Sequence, residues 1–268
     1  MDELKNLASD DFETKLAAIR QAHLAPSAAV LKPLCDLVLD RNQGEPVRHA
    51  AAEALGRLSD QAGRGALLEL LEDAGDPHRR MLGALGLGQF AHADAVGPLI
   101  EALRDDVNTV RNVAERSLLE QIALVREHGI EPLLALLAEP NPLVRSPAAR
   151  LLGATQDDRA REPLMAILRS DREWLSRMWA AKALGDLGRM EAADLLHERL
   201  DHDQKNRVRA AAAEAIGKLK PASGAAWLLH ALEHDDDGGV RKLASEALRQ
   251  FGLEVDEASA EEIPDDSE

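Results

Sequence analysis

Three small groups of residues in this sequence have types and spacings that could do chemistry. Glu198 with His202, and His230 with His234, are i, i+4 pairs. On a helix, each pair presents both side chains on one face. Two such pairs on neighbouring helices, ~8–10 Å apart, carry the nitrogen and oxygen donors of a zinc site. Nine histidines in an alanine-rich chain also produce such pairs by chance, so the residues supply candidate ligands but assign no metal and no other cofactor. Cys35 is the single thiol, and its spacing puts it on a packed row, where a thiol is inert filling. The run Gly83-Ala84-Leu85-Gly86-Leu87-Gly88 has the glycines of a phosphate loop but follows no strand pattern. It falls inside a helix and reads as a place of close helix contact. No catalytic constellation emerges.

Charge narrows the partners. The chain has 268 residues and a net charge of −16. Glu254 to Glu268 hold eight acids and no base, leaving −8 for the rest. Nucleic acid binding needs cations that displace condensed counterions, so DNA and RNA are excluded as expected partners and basic protein segments are favoured. A lone cysteine forms no internal disulfide. The N-terminus lacks a basic start and an apolar run, and no apolar stretch reaches membrane-spanning length. The expected location is cytoplasmic, without membrane contact.

The elements that position these residues follow from a repeat. Arginines stand at 48, 80, 111, 145, 177, 209 and 241, spaced 31 to 34 residues apart, and valine precedes five of them. Three positions on, every unit has Ala or Gly; seven on, Leu or Ile; eight on, glycine in five units. These offsets share one helix face, and the glycine near the end permits a left-handed helix stop. A second helix follows in each unit, framed by Pro33-Leu34, Pro98-Leu99, Pro132-Leu133, Pro163-Leu164, Leu195-Leu196 or Trp227-Leu228. Proline suits a first helical turn. Aromatics are only 2%, so the core is Ala and Leu, as close helix packing requires. The middle departs from the pattern: Leu119 replaces the glycine, Pro147 and Thr155 break the next unit, and an extended helix is expected over 109–126.

Six residues before five arginines stand Asp105, Glu139, Asp171, Asp203 and Asp235. An acid in the turn paired with the next unit's arginine (Arg111, Arg145, Arg177, Arg209 or Arg241) would bridge successive repeats. This looks like the aspartate–arginine ladder of HEAT repeats. The pattern Val-Arg, Ala-Ala, Ala-Leu-Gly resembles the phycobilisome-lyase-type HEAT-like family over about residues 13–252. The resemblance implies an all-α fold, a right-handed solenoid of about seven to eight two-helix repeats over 1–252, and an acidic tail over 253–268, expected to be disordered. It also implies that the second helices line the concave side. Deoxyhypusine hydroxylases, HEAT-like di-iron enzymes, use several His-Glu dipeptides; this chain has only His197-Glu198. HEAT-like DNA glycosylases need a cationic groove.

On the second helices, Asp36, Glu69 and Glu101 form one row, with Asp40, Asp73 and Asp105 four residues on. Stacked carboxylates do not help folding, so this acidic face is a candidate for a basic partner. Trp174 stands in a turn row otherwise polar or turn-forming and is expected at the rim, with Met178 following. Trp227 occupies a row otherwise held by Pro, Ala or Leu. An exposed tryptophan is a frequent binding anchor. The expected function is a protein-binding scaffold or assembly factor working through the concave face. The alternative is a bilin lyase-type chaperone or enzyme subunit acting on a cofactor-bearing protein.

Overall fold

Apolar residues at helical spacing, rich in alanine and leucine, give seventeen α-helices and no strand among the described residues. The computed structural model describes residues 2–24 and 28–254. Where the repeat pattern alone runs on from 1 to 252, the chain falls into two units, Met1–Gly129 and Ile130–Glu268. The acidic segment from residue 255 onward lies outside the described residues.

The first unit contains α1 (Asp2–Leu7), α2 (Phe12–Gln21), α3 (Ala28–Leu39), α4 (Glu45–Leu58), α5 (Gln61–Leu71), α6 (Pro77–Gln89), α7 (Val96–Glu101), α8 (Asn108–Glu120) and α9 (Ile122–His128). The second contains α10 (Ile130–Leu136), α11 (Pro142–Thr155), α12 (Arg161–Ser170), α13 (Trp174–Leu187), α14 (Ala193–His202), α15 (Asn206–Leu219), α16 (Gly224–His234) and α17 (Gly238–Gln250). Side-chain caps start several of them. Asp60, Asp76, Asn141 and Asp237 each accept an N–H of the first turn, satisfying donors that have no intrahelical partner.

The recurring glycine, expected as a helix stop, has another role. The helix runs on past it, and the left-handed residue comes three positions later, at Ser59, Gln156, Gly188 and Lys220. The glycines themselves lie where consecutive arginine-bearing helices touch. A β-carbon on Gly153 would sit 2.6 Å from the Ala183 Cα, and one on Gly217 would sit 2.8 Å from the Ala247 Cβ. Thus α11, α13, α15 and α17 pack in series with small residues at each contact, and α4, α6 and α8 do the same in the first unit. The second helices pack on their own partners and touch each other less. Open grooves remain between α5 and α7 and between α14 and α16. Within each unit the arginine-bearing helices therefore make the closer contacts with one another.

Three local expectations change. The helix expected over 109–126 breaks at Gln121, whose side-chain amide donates to the carbonyls of Leu87 (2.9 Å) and Gly88 (2.6 Å). Pro147 sits inside α11 without ending it, and buried Thr155 donates its hydroxyl to the Leu152 carbonyl at 2.7 Å. Pro98, Pro132 and Pro163 occupy the third position of their helices, but Pro33 lies well inside α3.

The glycines give a direct test. Gly153→Ala forces backbone apart and should lose about 1–3 kcal/mol. Gly65→Ala, in α5 with open space around it, should gain about 0.5–1 kcal/mol. Urea unfolding of the two variants measures both signs.

Candidate functional site

The arginine ladder forms the polar spine of both units. Arg145 places Nε and Nη2 on the two carboxylate oxygens of Asp171, both at 2.7 Å. Arg177 holds Asp203 (2.8 and 2.9 Å) and Arg209 holds Asp235 (both 2.8 Å) in the same bidentate way. In the first unit Arg80 holds Asp105 at 2.6 and 2.9 Å. Each carboxylate therefore takes the arginine of the preceding repeat, not of the following one. The following arginine uses the same residue's backbone: Arg177 Nη1 donates to the Asp171 carbonyl at 2.8 Å, and Arg209 Nη1 to that of Asp203 at 3.1 Å. Arg111 reaches the Asp105 carbonyl at 2.6 Å, Arg145 that of Glu139 at 2.7 Å, and Arg241 that of Asp235 at 2.9 Å.

Burial is the largest influence on Asp203 and works against its charge. The hydrogen bonds from Arg177 and the Lys205 N–H outweigh it and hold the carboxyl below the ordinary aspartate range. Asp105 is lowered by the same balance, with Arg80 and the Val107 N–H as donors. Arg48 is as buried as its counterparts but makes no ion pair among the described residues. Asp73, the acid in ladder register with it, is taken by Arg41 (3.1 Å) and Arg79 (3.2 Å).

The two acidic rows are therefore unlike. Asp36, Glu69 and Glu101 are exposed. Glu69 lies 3.7 Å from Arg79, and Glu101 pairs with Arg104 on its own helical stretch. Asp73 and Asp105 are held inside ion pairs, and Asp40 accepts from Asn42 and Gln43 in its own turn. Only the first row is exposed along its whole length. Between α5 and α7 lies a groove of about 300 Å³, floored by Leu68, Leu71, Pro98 and Ala102 and edged by Glu72, Glu101, Arg104 and Asp105.

In the second unit His202, His230 and His234 line one pocket of about 160 Å³ with Asp201 and Asp235. The rings of His230 and His234 stack at 4.6 Å, and His234 Nδ1 lies 3.0 Å from the His230 carbonyl. Glu198 turns to Arg199 and does not join them. Among the described residues, no group of three or more His, Cys, Asp or Glu side chains is placed to hold a metal ion. His197 pairs with Asp201 at 3.1 Å and stacks on Trp227 at 4.2 Å. Trp227 is half-buried in that stack.

Trp174, expected at the rim, is half-buried beneath the Arg207 guanidinium, 5.5 Å from its ring centre. Met178 is also half-buried. Trp179 carries Arg150 at 5.2 Å and Lys182 at 5.8 Å. Cys35 is half-buried rather than sealed in the core, and burial raises its pKa. A second polar ladder escaped the sequence reading. Lys182 pairs with Glu214, Glu214 with Lys218, and Lys218 with Asp186, each at 2.8 Å. Opposite charges one period apart, on rows five and nine residues after the arginine, are the signal that marks it.

Tandem helix pairs, stacked through small residues and tied by arginine–aspartate bonds, define an all-α solenoid. The sequence pattern of HEAT repeats matches residues 1–82, 42–119, 130–217 and 196–264, and the chain belongs to the HEAT-repeat family. No curated protein matches it in sequence. Among solved structures it is similar to YibA of Escherichia coli, 18% identical over 92% of this chain and 91% of YibA, with a TM-score of 0.52. It is also similar to Kap95p, in a structure with RanGDP, 13% identical over 93% of this chain and 40% of Kap95p, with a TM-score of 0.64. The CpcE–CpcF complex of phycocyanin lyase from Nostoc sp. gives 21% identity over 93% of each chain and a TM-score of 0.40, too slight a likeness to argue from. These likenesses show the fold alone. Among the described residues no helix is long and apolar enough to cross a membrane.

The ladder yields two expectations. Arg177→Met leaves Asp203 buried and unpaired, and should cost about 3–5 kcal/mol. Arg48→Met strands no carboxylate and should shift stability by under about 1 kcal/mol; urea midpoints compare the two. Because Asp105 and Asp203 have lowered pKa values when folded, their stabilisation is complete above the unfolded value of about 4 and is lost as pH falls through the folded values. The urea midpoint should hold steady from about pH 7 to pH 5 and drop below about pH 4.

Proposed function

We propose that this protein is a binding scaffold that holds a basic segment of another protein against the second helices of its first unit. One observation carries this reading: the groove between α5 and α7 combines an apolar floor with an acidic edge. Leu68, Leu71 and Pro98 are only half-buried, although a solenoid repeat normally covers such residues with its neighbour. Glu69, Glu72 and Glu101 stand exposed beside them. An apolar side chain entering the groove removes that floor from water, and flanking lysines or arginines meet the carboxylates. The ladder adds no competing role here, because the inward acids Asp73 and Asp105 are already engaged by arginines.

A protein of similar fold supports the reading without fixing the partner. Kap95p binds RanGDP. The repeat architecture exposes a long face of side chains that are not needed for folding, a general property of stacked repeats.

Affinity purification of the full chain beside its Glu69→Lys/Glu72→Lys/Glu101→Lys variant, read by mass spectrometry, tests the proposal. The expected result is a partner with a Lys/Arg-rich segment that the variant loses, with affinity reduced at least about tenfold. A partner retained at full affinity by a folded variant would place the interaction elsewhere.

A further inference from the structure

The carboxylates along the groove of α5 and α7 differ in how free they are. Buried Arg79 lies 3.7 Å from Glu69 and 3.2 Å from Asp73. Glu101 is paired with Arg104, and Asp105 with Arg80. A carboxylate with a cation already beside it presents little net charge to a newcomer, because the two fields oppose each other. Glu72 differs from all of these. It is exposed and lines the groove beside Leu68 and Leu71, and among the described residues no Lys, Arg or His pairs with it.

Its place on the chain adds to that charge. Glu72 is the C-cap of α5, and α5 has no basic residue in its last turn. The carbonyl end of a helix carries a partial negative charge that favours a cation within that turn. No backbone N–H among the described residues reaches the carbonyl of Leu71 or of Glu72. The fold does not call for an acid at this point. Immediately before the turn acid the other units have Leu39, Arg104, Ala138, Ser170, His202 and His234, so Glu72 is the one acid of that row. Side chain and helix end therefore favour a cation at the same spot, next to the half-buried apolar floor of the groove.

We propose, resting on the scaffold reading of the same groove, that Glu72 is its specificity-determining residue. It takes one lysine or arginine of the partner, held close to the large apolar side chain that enters between α5 and α7. A charge-assisted hydrogen bond sheltered by an apolar contact outweighs an exposed ion pair, so Glu69 and Glu101 add little. The groove thus selects a single cation beside a hydrophobe, and further basic residues of the segment act only through general attraction.

Two fluorescein-labelled peptides, one with three arginines before a phenylalanine and one with three after it, are titrated with the full chain and read by anisotropy. Salt at about 0.15 M screens the long-range attraction between a basic peptide and a chain of net charge −16. The tighter peptide is then scanned by replacing each arginine with glutamine. One position should cost at least about tenfold in affinity, and the other two under about threefold each. Glu72→Gln should lose about tenfold as well, and Glu69→Gln and Glu101→Gln under about threefold. On the Glu72→Gln chain the critical arginine should matter no more than the others. All three glutamates are exposed, so each variant should keep a native circular-dichroism spectrum. Equal losses at the three arginines, or a loss with Glu69→Gln or Glu101→Gln as large as with Glu72→Gln, would overturn the proposal and leave the scaffold reading standing. If the parent chain binds neither peptide, or Glu69→Lys/Glu72→Lys/Glu101→Lys binds as the parent does, the scaffold reading falls and this proposal with it.

Discussion

The backbones of successive arginine-bearing helices touch, and the rest of the structure adapts to that contact. At Gly153 and Gly217 there is no room for a β-carbon, and alanine faces each glycine across the gap. Helices this close leave no place for aromatic side chains between them, which accounts for a core built from alanine, leucine and valine. Because the opposite layer is spaced by larger side chains, it cannot close to the same degree. The grooves between the second helices are the geometric remainder of that mismatch.

The ladder works within this constraint. A guanidinium in the turn region would be costly to bury alone, but Arg80, Arg145, Arg177 and Arg209 are each met by a carboxylate on one side and a carbonyl on the other. The bidentate pairs at Asp171, Asp203 and Asp235 share one geometry, as expected where identical packing repeats. Where the packing changes, the pairing changes as well. Asp73 is turned towards Arg41 and Arg79, and Arg48 is left without it.

Most of the fold was legible because periodicity is a property of single positions summed over many repeats. The helices, the ladder residues and the small-residue contact all lie in the spacing of Arg, Ala, Leu and Gly. Direction was less legible. The acid six residues before an arginine reads naturally as its partner, yet the carboxylate belongs to the arginine before it. Only the path of the turn decides that. The role of the glycine was misread for a related reason: a glycine near a helix end suits a stop, and the left-handed residue at Ser59 or Lys220 carries no glycine to announce itself. At the surface, spacing grouped Asp36, Glu69, Asp73, Glu101 and Asp105 as one face but could not show which of them arginines had already claimed. Trp174 and Trp179 depended on the reach of Arg207 and Arg150 from adjacent helices, which no local pattern encodes.

At Asp105, Asp171, Asp203 and Asp235 one residue of the turn serves two arginines, the earlier through its carboxylate and the later through its carbonyl. The turn is thus a two-ended coupling with a fixed pitch. Adding or removing an entire module leaves every coupling intact, because its outgoing and incoming halves have the same form. Inserting a single residue between Asp203 and Arg209 would uncouple both. Such a chain can lengthen by duplication of whole modules far more readily than it can tolerate a slip within one.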